Sequence, residues 1–359
     1  MRPAKLLSVA TAVPPHCFAQ RDIAAAARNL FAGRFGDFDR LARVFESSGI
    51  SRRFAVRPIE WYFEPLGWPE RTAAYLDGAV ELFIGAAGKA LEAAGLGADE
   101  VDTVVTVSST GIATPSLEAR AADRLGFRAD VERIPVFGLG CAGGVSGLAL
   151  AGRLAQARPG SVVLMVTIEL CTLAFRHDEL TKSNIVATAL FGDGAAACVV
   201  WAPVPGERQA GARSEGALEI ELSGQHTWPD TLEIMGWAVD PTGFGVIFDR
   251  AIPPFARENM GPAVSGILGR AGLALEDVDR LAFHPGGMKV IEALEDAFEL
   301  GQGALNVERD VLAQFGNMSA PTALFVLERA MAEGLPARTL LTAMGPGFTA
   351  SCVALSQAA

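Results

Sequence analysis

Val136-Phe137-Gly138-Leu139-Gly140-Cys141-Ala142-Gly143-Gly144-Val145-Ser146-Gly147 is the stretch on which the reading of this chain turns. An apolar, strand-like approach from Ile134 to Phe137 meets a glycine-rich bend. Small residues then lead into Leu148-Ala149-Leu150-Ala151-Gly152-Arg153-Leu154, which reads as a helix buried on most sides. Cys141 therefore falls at a strand-to-helix junction. Unpaired amide N–H groups and the helix dipole there favour thiolate over thiol, so ionisation is expected below the free-thiol pKa of about 8.5. The glycines allow a sharp bend and leave space beside the sulfur for a thioester. Taken alone, the stretch fits a buried core cysteine as well as a nucleophile, because free Cys packs like a small hydrophobe.

The bulk properties narrow the setting. The chain has 359 residues, 50% of them hydrophobic, enough for two domains or two fused halves. Its 30 basic and 41 acidic side chains give a net charge of −11, which argues against a nucleic-acid binder with a broad basic face. The five cysteines, Cys17, Cys141, Cys171, Cys198 and Cys352, are scattered, with no CxxC pair or His-rich cluster. No metal site is expected, and the pattern fits a reducing cytoplasm. The short apolar run after Lys5 closes at Pro14-Pro15 and reads as a first strand rather than a signal peptide. No apolar run approaches the roughly 18 residues of a membrane span.

Along the chain, helical spacing over 21–48 precedes a compact basic stretch, Ser51-Arg52-Arg53-Phe54-Ala55-Val56-Arg57, which by itself reads as a solvated loop. A long alanine-rich helix over 71–94, a strand over 101–107 and a helix over 116–125 lead to the Cys141 segment. Apolar strands follow at 161–169 and 195–201. A Pro-, Gly- and Arg-rich stretch over 203–214 reads as a linker. It divides the chain into halves 1–205 and 206–359.

The second half repeats the first. Ala94-Gly95-Leu96-Gly97-Ala98-Asp99-Glu100-Val101-Asp102 returns as Ala271-Gly272-Leu273-Ala274-Leu275-Glu276-Asp277-Val278-Asp279, an offset of 177. The same offset sets Gly140-Cys141 almost opposite Gly316-Asn317, each just before a helix, and matches 161–169 with 339–345. Residues between Cys171 and Phe191 read as an insertion in the first half. A duplicated unit alternating helices and strands implies two similar α/β halves about a pseudo-twofold axis. Cys141, His284 and Asn317 all fall at element ends of the repeat, where a shared site gathers them. Singly, His284 reads as a hydrogen-bonded core histidine and Asn317 as a helix cap.

These motifs resemble a known family, the type III polyketide synthases or chalcone synthase-like enzymes. The resemblance is carried by Gly140-Cys141, Leu190-Phe191-Gly192-Asp193-Gly194, His284-Pro285-Gly286-Gly287, Gly316-Asn317-Met318-Ser319 and Met344-Gly345-Pro346-Gly347-Phe348, in the family's order and over essentially the whole chain. It implies a thiolase fold, the duplicated five-layer αβαβα architecture, and a homodimer. It implies that Cys141 takes an acyl starter from coenzyme A. His284 would pair with the thiolate and, with Asn317, hydrogen-bond the thioester carbonyl of malonyl-CoA during decarboxylation. It implies no redox or metal cofactor, with coenzyme A thioesters as substrates and partners.

By the same resemblance, Arg52 and Arg53 mark a coenzyme A entrance. Phe191 stands as one gatekeeper and Phe244 as the second, with Phe248 as the alternative if the alignment slips by a gap. Ser109, Thr110, Cys171, Ala174, Gly236, Ser319 and Pro346 look like pocket lining. Thr114 stands where plant enzymes place a methionine that crosses the dimer interface, and Ala174 where they carry threonine. These smaller or more polar residues suit the bacterial alkylpyrone and alkylresorcinol synthases, and so a medium- or long-chain fatty acyl starter. The alternatives are a chalcone-type enzyme, a malonyl-primed, tetrahydroxynaphthalene-type synthase, and an initiating ketoacyl-ACP synthase. Pro285-Gly286-Gly287 speaks against the last, whose histidine is usually followed by Gln-Ala-Asn. A relative that binds acyl-CoA without turnover would need one of Cys141, His284 or Asn317 lost, and all three are present.

Overall fold

A computed structural model describes residues 3–36, 38–204 and 216–357. The stretch read as a linker therefore lies, beyond Val204, outside the described residues.

The first half opens with β1 (Ala4–Ala12) and a short antiparallel pair, β2 (His16–Ala19) with β3 (Arg52–Ala55). Between these, α1 (Gln20–Phe31), α2 (Phe38–Leu41) and α3 (Arg43–Ser47) replace the single helical stretch expected over 21–48. The break falls at Gly33 and Gly36, where helix propensity is low. Then come α4 (Trp68–Ala94), β4 (Thr103–Val107), α5 (Leu117–Leu125), β5 (Glu132–Val136) and α6 (Gly143–Ala157), followed by β6 (Val162–Leu170), α7 (Lys182–Leu190) and β7 (Asp193–Trp201). The second half comprises β8 (Leu218–Thr227), the hairpin β9 (Met235–Asp240) and β10 (Gly243–Phe248), and α8 (Ile252–Gly269). It continues through β11 (Arg280–Phe283), α9 (Met288–Ala297), α10 (Asn306–Phe315), α11 (Thr322–Glu333), β12 (Arg338–Gly345) and β13 (Thr349–Gln357).

The strand order is β11-β12-β13-β8-β1-β7-β6-β4-β5. The duplication is visible in it. β1-β7-β6-β4 and β8-β13-β12-β11 run in the same order and with the same senses, antiparallel at the first two pairings and parallel at the third. The halves meet where Ala4–Leu6 of β1 pairs with Leu218–Ile220 of β8, so the two sheets join edge to edge. The expected insertion is also there. β6 reaches β7 through a 3₁₀ turn and α7, whereas Pro346-Gly347-Phe348 alone separates β12 from β13.

Strand alternation sorts the apolar residues into layers. On β6, Val163 and Met165 face an inner core, whereas Leu164, Val166 and Ile168 face an outer one with α4. The inner core joins α6 and α11 to strands of both halves, and a third core packs α8 and α9 on the outer face of the second sheet. Helix, sheet, paired helices, sheet and helix are the expected five layers. α6 and α11 thus lie back to back at the pseudo-twofold axis. Their N-termini bring the Cys141 and Asn317 segments to one place.

Candidate active site

Cys141 sits in the single turn Gly140–Ala142 that enters α6, with 9% of its surface exposed. Gly140 makes the bend at φ +47°, and a Cβ there would lie 2.6 Å from Cδ of Pro346. Any larger residue would push the Gly345-Pro346 turn off the cysteine. The sulfur faces a small cavity whose walls include Cys171, Phe191, Gly236, Ser319 and Pro346, all five expected there.

Asn317 is fixed at both ends of its side chain. Its Oδ1 accepts from the Ser319 amide at 2.8 Å, and its Nδ2 donates to the Gly286 carbonyl at 3.0 Å. The second Nδ2 hydrogen is the one that reaches Cys141. Asn317 is not the helix cap it resembles in sequence, because the Thr322 hydroxyl accepts from Met318 N and Pro321 occupies the cap position. Through Gly286 the amide is tied to the His284 turn, and hydrogen bonds from Ser319 and Asn317 reach Cys141. Ser319 is held at φ +57°, a strained backbone for a non-glycine residue and one that clusters at functional sites.

His284 ends β11. It is 5% exposed, and neither ring nitrogen has a hydrogen-bond partner among the described residues. Buried polar groups are ordinarily hydrogen-bonded, so a buried imidazole with no protein partner marks a candidate functional group. Burial lowers its pKa to about 4, so the ring is neutral. Burial also pushes the Cys141 thiol up to about 11, outweighing the hydrogen bonds that pull it down, and the Glu169 charge adds to the rise. The expectation of a thiolate below about 8.5 is corrected here: desolvation of the sulfur exceeds the help from the α6 N-terminus.

Several lining assignments change. Phe244 is absent from the Cys141 cavity; its ring packs edge-on against Trp68 at 5.0 Å and beside Trp237 at 5.9 Å. Phe248, four residues along β10 and so about 13 Å away, faces the cavity with its ring 6.5 Å from that of Phe191. The aromatics that join Phe191 at the cavity are therefore Trp237, its ring 6.1 Å away, and Phe248, not Phe244. Ser109 and Thr110 lie behind the cysteine bend rather than on the cavity wall. Ser109 Oγ accepts from Gly138 N and Gly140 N at 3.3 Å, and the Ser109 amide and Thr110 hydroxyl donate to Glu169. Thr114 is exposed on the loop before α5. Ala174 lines a second, larger cavity.

Arg53 is corrected too. It is 2% exposed, donating to the Phe191 carbonyl at 2.9 Å and to Gln20 Oε1 at 2.8 Å, and so cannot meet a phosphate at an entrance. Alternation along β3 points it inward while Arg52 stays exposed over the Phe54 ring. Sequence reading gave no role to Glu169, buried with its pKa raised to about 8, and missed Trp237, Val246 and Ile247 on the cavity wall beside the expected Gly236. Glu169 had a signal, the one charged residue of β6, whose other residues are apolar except Thr167. Among the described residues, no cluster of three His, Cys, Asp or Glu is placed to hold a metal ion, and no helix is long and apolar enough to cross a membrane.

A duplicated αβαβα fold with a cysteine at the entry of an axial helix, an asparagine amide directed at it and a buried, unpartnered histidine on the turn tied to that asparagine defines a thiolase-fold condensing enzyme. Residues 1–203 match the N-terminal domain, and residues 219–358 the C-terminal domain, of the chalcone and stilbene synthases. The chain is 39% identical over 357 residues to a 1,3,6,8-tetrahydroxynaphthalene synthase of Streptomyces peucetius subsp. caesius, covering 99% of this chain and 93% of that one. It is 30% identical to the alpha-pyrone synthesis polyketide synthase-like Pks18 of Mycobacterium tuberculosis, covering 95% and 88%. The crystal structure of 1,3,6,8-tetrahydroxynaphthalene synthase from Streptomyces coelicolor A3(2), a bacterial type III polyketide synthase, superimposes with a TM-score of 0.90 at 28% identity, covering 99% and 100%. The chain belongs to this family: it is a type III polyketide synthase, an acyltransferase that works by decarboxylative condensation of acyl-CoA and malonyl-CoA.

Proposed function

We propose that the enzyme loads a medium- or long-chain fatty acyl group on Cys141, extends it with malonyl-CoA and cyclises the product to an alkylpyrone or alkylresorcinol. The observation that carries the starter assignment is an apolar cavity under α1, lined by residues such as Ile23, Leu30, Ala174 and Phe175. It shares Cys171, Phe191 and Val246 with the Cys141 cavity, so an acyl chain anchored on the sulfur has an apolar place to lie.

In this reading the neutral His284 takes the thiol proton as Cys141 attacks the starter thioester, and coenzyme A leaves. Malonyl-CoA then binds with its thioester oxygen facing an imidazole N–H of His284 and the Nδ2 hydrogen of Asn317 that points toward Cys141 in the resting site. Loss of carbon dioxide leaves an enolate on that oxygen, where each donor is worth about 2.7–4 kcal/mol. The enolate carbon attacks the acyl-Cys141 carbonyl and the thiolate departs. The thioester itself supplies the electron sink, so no further cofactor takes part. The exposed Arg52 is the candidate contact for coenzyme A phosphate.

We also assign a homodimer built on the free edge of β5. That strand is half-exposed, and Phe137 and Ile112 beside it are 57% and 59% exposed. A parallel edge strand flanked by large apolar side chains calls for cover. Thr114, on the same face, is then placed to reach the partner's site.

The 39% identity to a tetrahydroxynaphthalene synthase favours a second reading, in which malonyl-CoA is also the starter. The test is incubation with malonyl-CoA alone and with acyl-CoA starters from acetyl to palmitoyl, read by mass spectrometry, with Cys141→Ala as control. Cys141-dependent alkyl products, most abundant with long chains, are expected. An aromatic product from malonyl-CoA alone, undiminished by added starters, would establish the second reading instead.

A further inference from the structure

We propose that Arg53 is a positioning residue for the condensation half of the reaction, setting the Asn317 amide and the Phe191 ring in register with Cys141. The proposal rests on the reading of Asn317 as an enolate-binding donor.

Arg53 sits at the crossing of the two segments that carry these residues. The Phe191 and Asn317 backbones form a parallel bridge. Asn317 N donates to the Leu190 carbonyl at 2.8 Å, and Gly192 N donates to the Asn317 carbonyl at 3.0 Å. The Arg53 guanidinium caps this bridge by donating to the Phe191 carbonyl at 2.9 Å. Its Cβ packs against both glycines of the crossing: a Cβ added at Gly192 or at Gly316 would lie 3.3 or 3.5 Å from it. From the other side, Gln20 Oε1 holds the guanidinium at 2.8 Å, and the Gln20 amide is anchored to the Ala189 carbonyl at 2.9 Å. Arg53 also forms part of the wall of the apolar cavity under α1.

A cation in so apolar a place is costly. Its desolvation is set against two fixed acceptors and the nearby Asp193 carboxylate. A bulk-filling apolar residue would hold the core without that cost, so the guanidinium's distinct contribution is directional. It fixes the height of the Phe191 carbonyl, and through the bridge that of Asn317. Misplacing a reacting group by about 1 Å costs on the order of 100-fold in rate.

The experiment separates the two half-reactions in Arg53→Met, Arg53→Lys, Asn317→Ala and the double variant Arg53→Met/Asn317→Ala. Starter loading is read as acyl-Cys141 by intact mass, and malonyl-CoA decarboxylation by carbon dioxide release, with thermal unfolding alongside. Arg53→Met is expected to lower the decarboxylation kcat by about 100-fold, while KM and the loading rate change by no more than about twofold. In decarboxylation the double variant should match Asn317→Ala within about twofold, because in that step Arg53 acts through the Asn317 amide. Arg53→Lys, reaching one acceptor rather than two, should recover part of the loss; if Arg53→Met does not fold, Arg53→Lys carries the same comparison. Parallel loss of loading and decarboxylation, or multiplicative effects in the double variant, would overturn the proposal and leave Arg53 a packing residue. Retention of decarboxylation in Asn317→Ala would instead remove the reading on which it rests.

Discussion

Gly192 and Phe315 approach so closely that a Cβ on the glycine would lie 2.4 Å from the Phe315 carbonyl oxygen. The contact is with backbone, which cannot swing away. It lets the Phe191 segment lie against the Asn317 segment and form their bridge. Gly192→Ala should therefore fold with a penalty of about 1–3 kcal/mol but lose more than about tenfold in condensation. Denaturant unfolding and product formation check the two parts separately. Full activity in a destabilised variant would show that the bridge has slack.

Much of this was legible in the chain itself. The repeat at Ala94 and Ala271 fixed the halves, and with them the convergence of Cys141 and Asn317, because a duplicated unit places equivalent helix ends at one axis. What escaped was the direction of single side chains. Arg52 and Arg53 are indistinguishable by composition, and one residue of strand alternation decides which meets water. Phe244 and Phe248 share a face of one strand, and Trp68, from a helix far away in sequence, captures the first. The ionisation of Cys141 escaped for a different reason. A helix N-terminus is visible in sequence, but the surrounding desolvation depends on how both halves close over the sulfur.

That balance yields a pH prediction. With Cys141 at about 11 and His284 at about 4, both are neutral between those values. The thiolate fraction then rises about tenfold per pH unit through neutrality. Alkylation of Cys141 by iodoacetamide, read by intact mass, should climb from pH 6.5 to 9.5 without levelling. A plateau below about pH 8.5 would mean a thiolate–imidazolium pair in the resting enzyme.

Stability should respond to pH in the opposite sense from a protein held by surface carboxylates. Burial raises Asp193 and Glu308 to about 7 and Glu169 to about 8. Between about pH 4, where the unfolded chain releases these protons, and pH 7–8, the folded state binds more protons than the unfolded one. Stability therefore falls as pH rises through that window. Glu308 accepts from Phe283 N at 3.0 Å, and Glu308→Gln keeps an acceptor there while removing the titration. Thermal unfolding from pH 5 to 8 should slope downward in the parent and less steeply in Glu308→Gln, by on the order of 1–3 kcal/mol at pH 8. Equal slopes would assign the pH dependence to other groups.

The apolar cavity makes starter length a matter of volume. Ala174 is 4% exposed on its wall, next to Cys171. Ala174→Phe would fill the passage without adding a polar atom. The ratio of palmitoyl to butyryl products should drop by about tenfold or more, with malonyl-CoA decarboxylation unchanged. An unaltered ratio would place the acyl chain elsewhere.

The exposed edge gives the last test, and it separates assembly from folding. Phe137 and Ile112 flank β5, whose residues are exposed or half-exposed, while the other edge of the joined sheet, β11, is half-buried. Exposed apolar side chains occur elsewhere too, Leu232 at 73% and Val239 at 69%, but those lie on and before the β9–β10 hairpin, away from the sheet edge. Ile112→Lys/Phe137→Lys places two like charges on each copy of a face that a two-fold axis would set against itself. Sedimentation should show the parent as a dimer and this variant as a monomer with unchanged circular dichroism, whereas Leu232→Lys should remain dimeric. If Thr114 reaches the partner's site, the monomer keeps starter loading on Cys141 but changes its product distribution. A variant that stays dimeric would move the interface away from β5, and with it the assigned reach of Thr114.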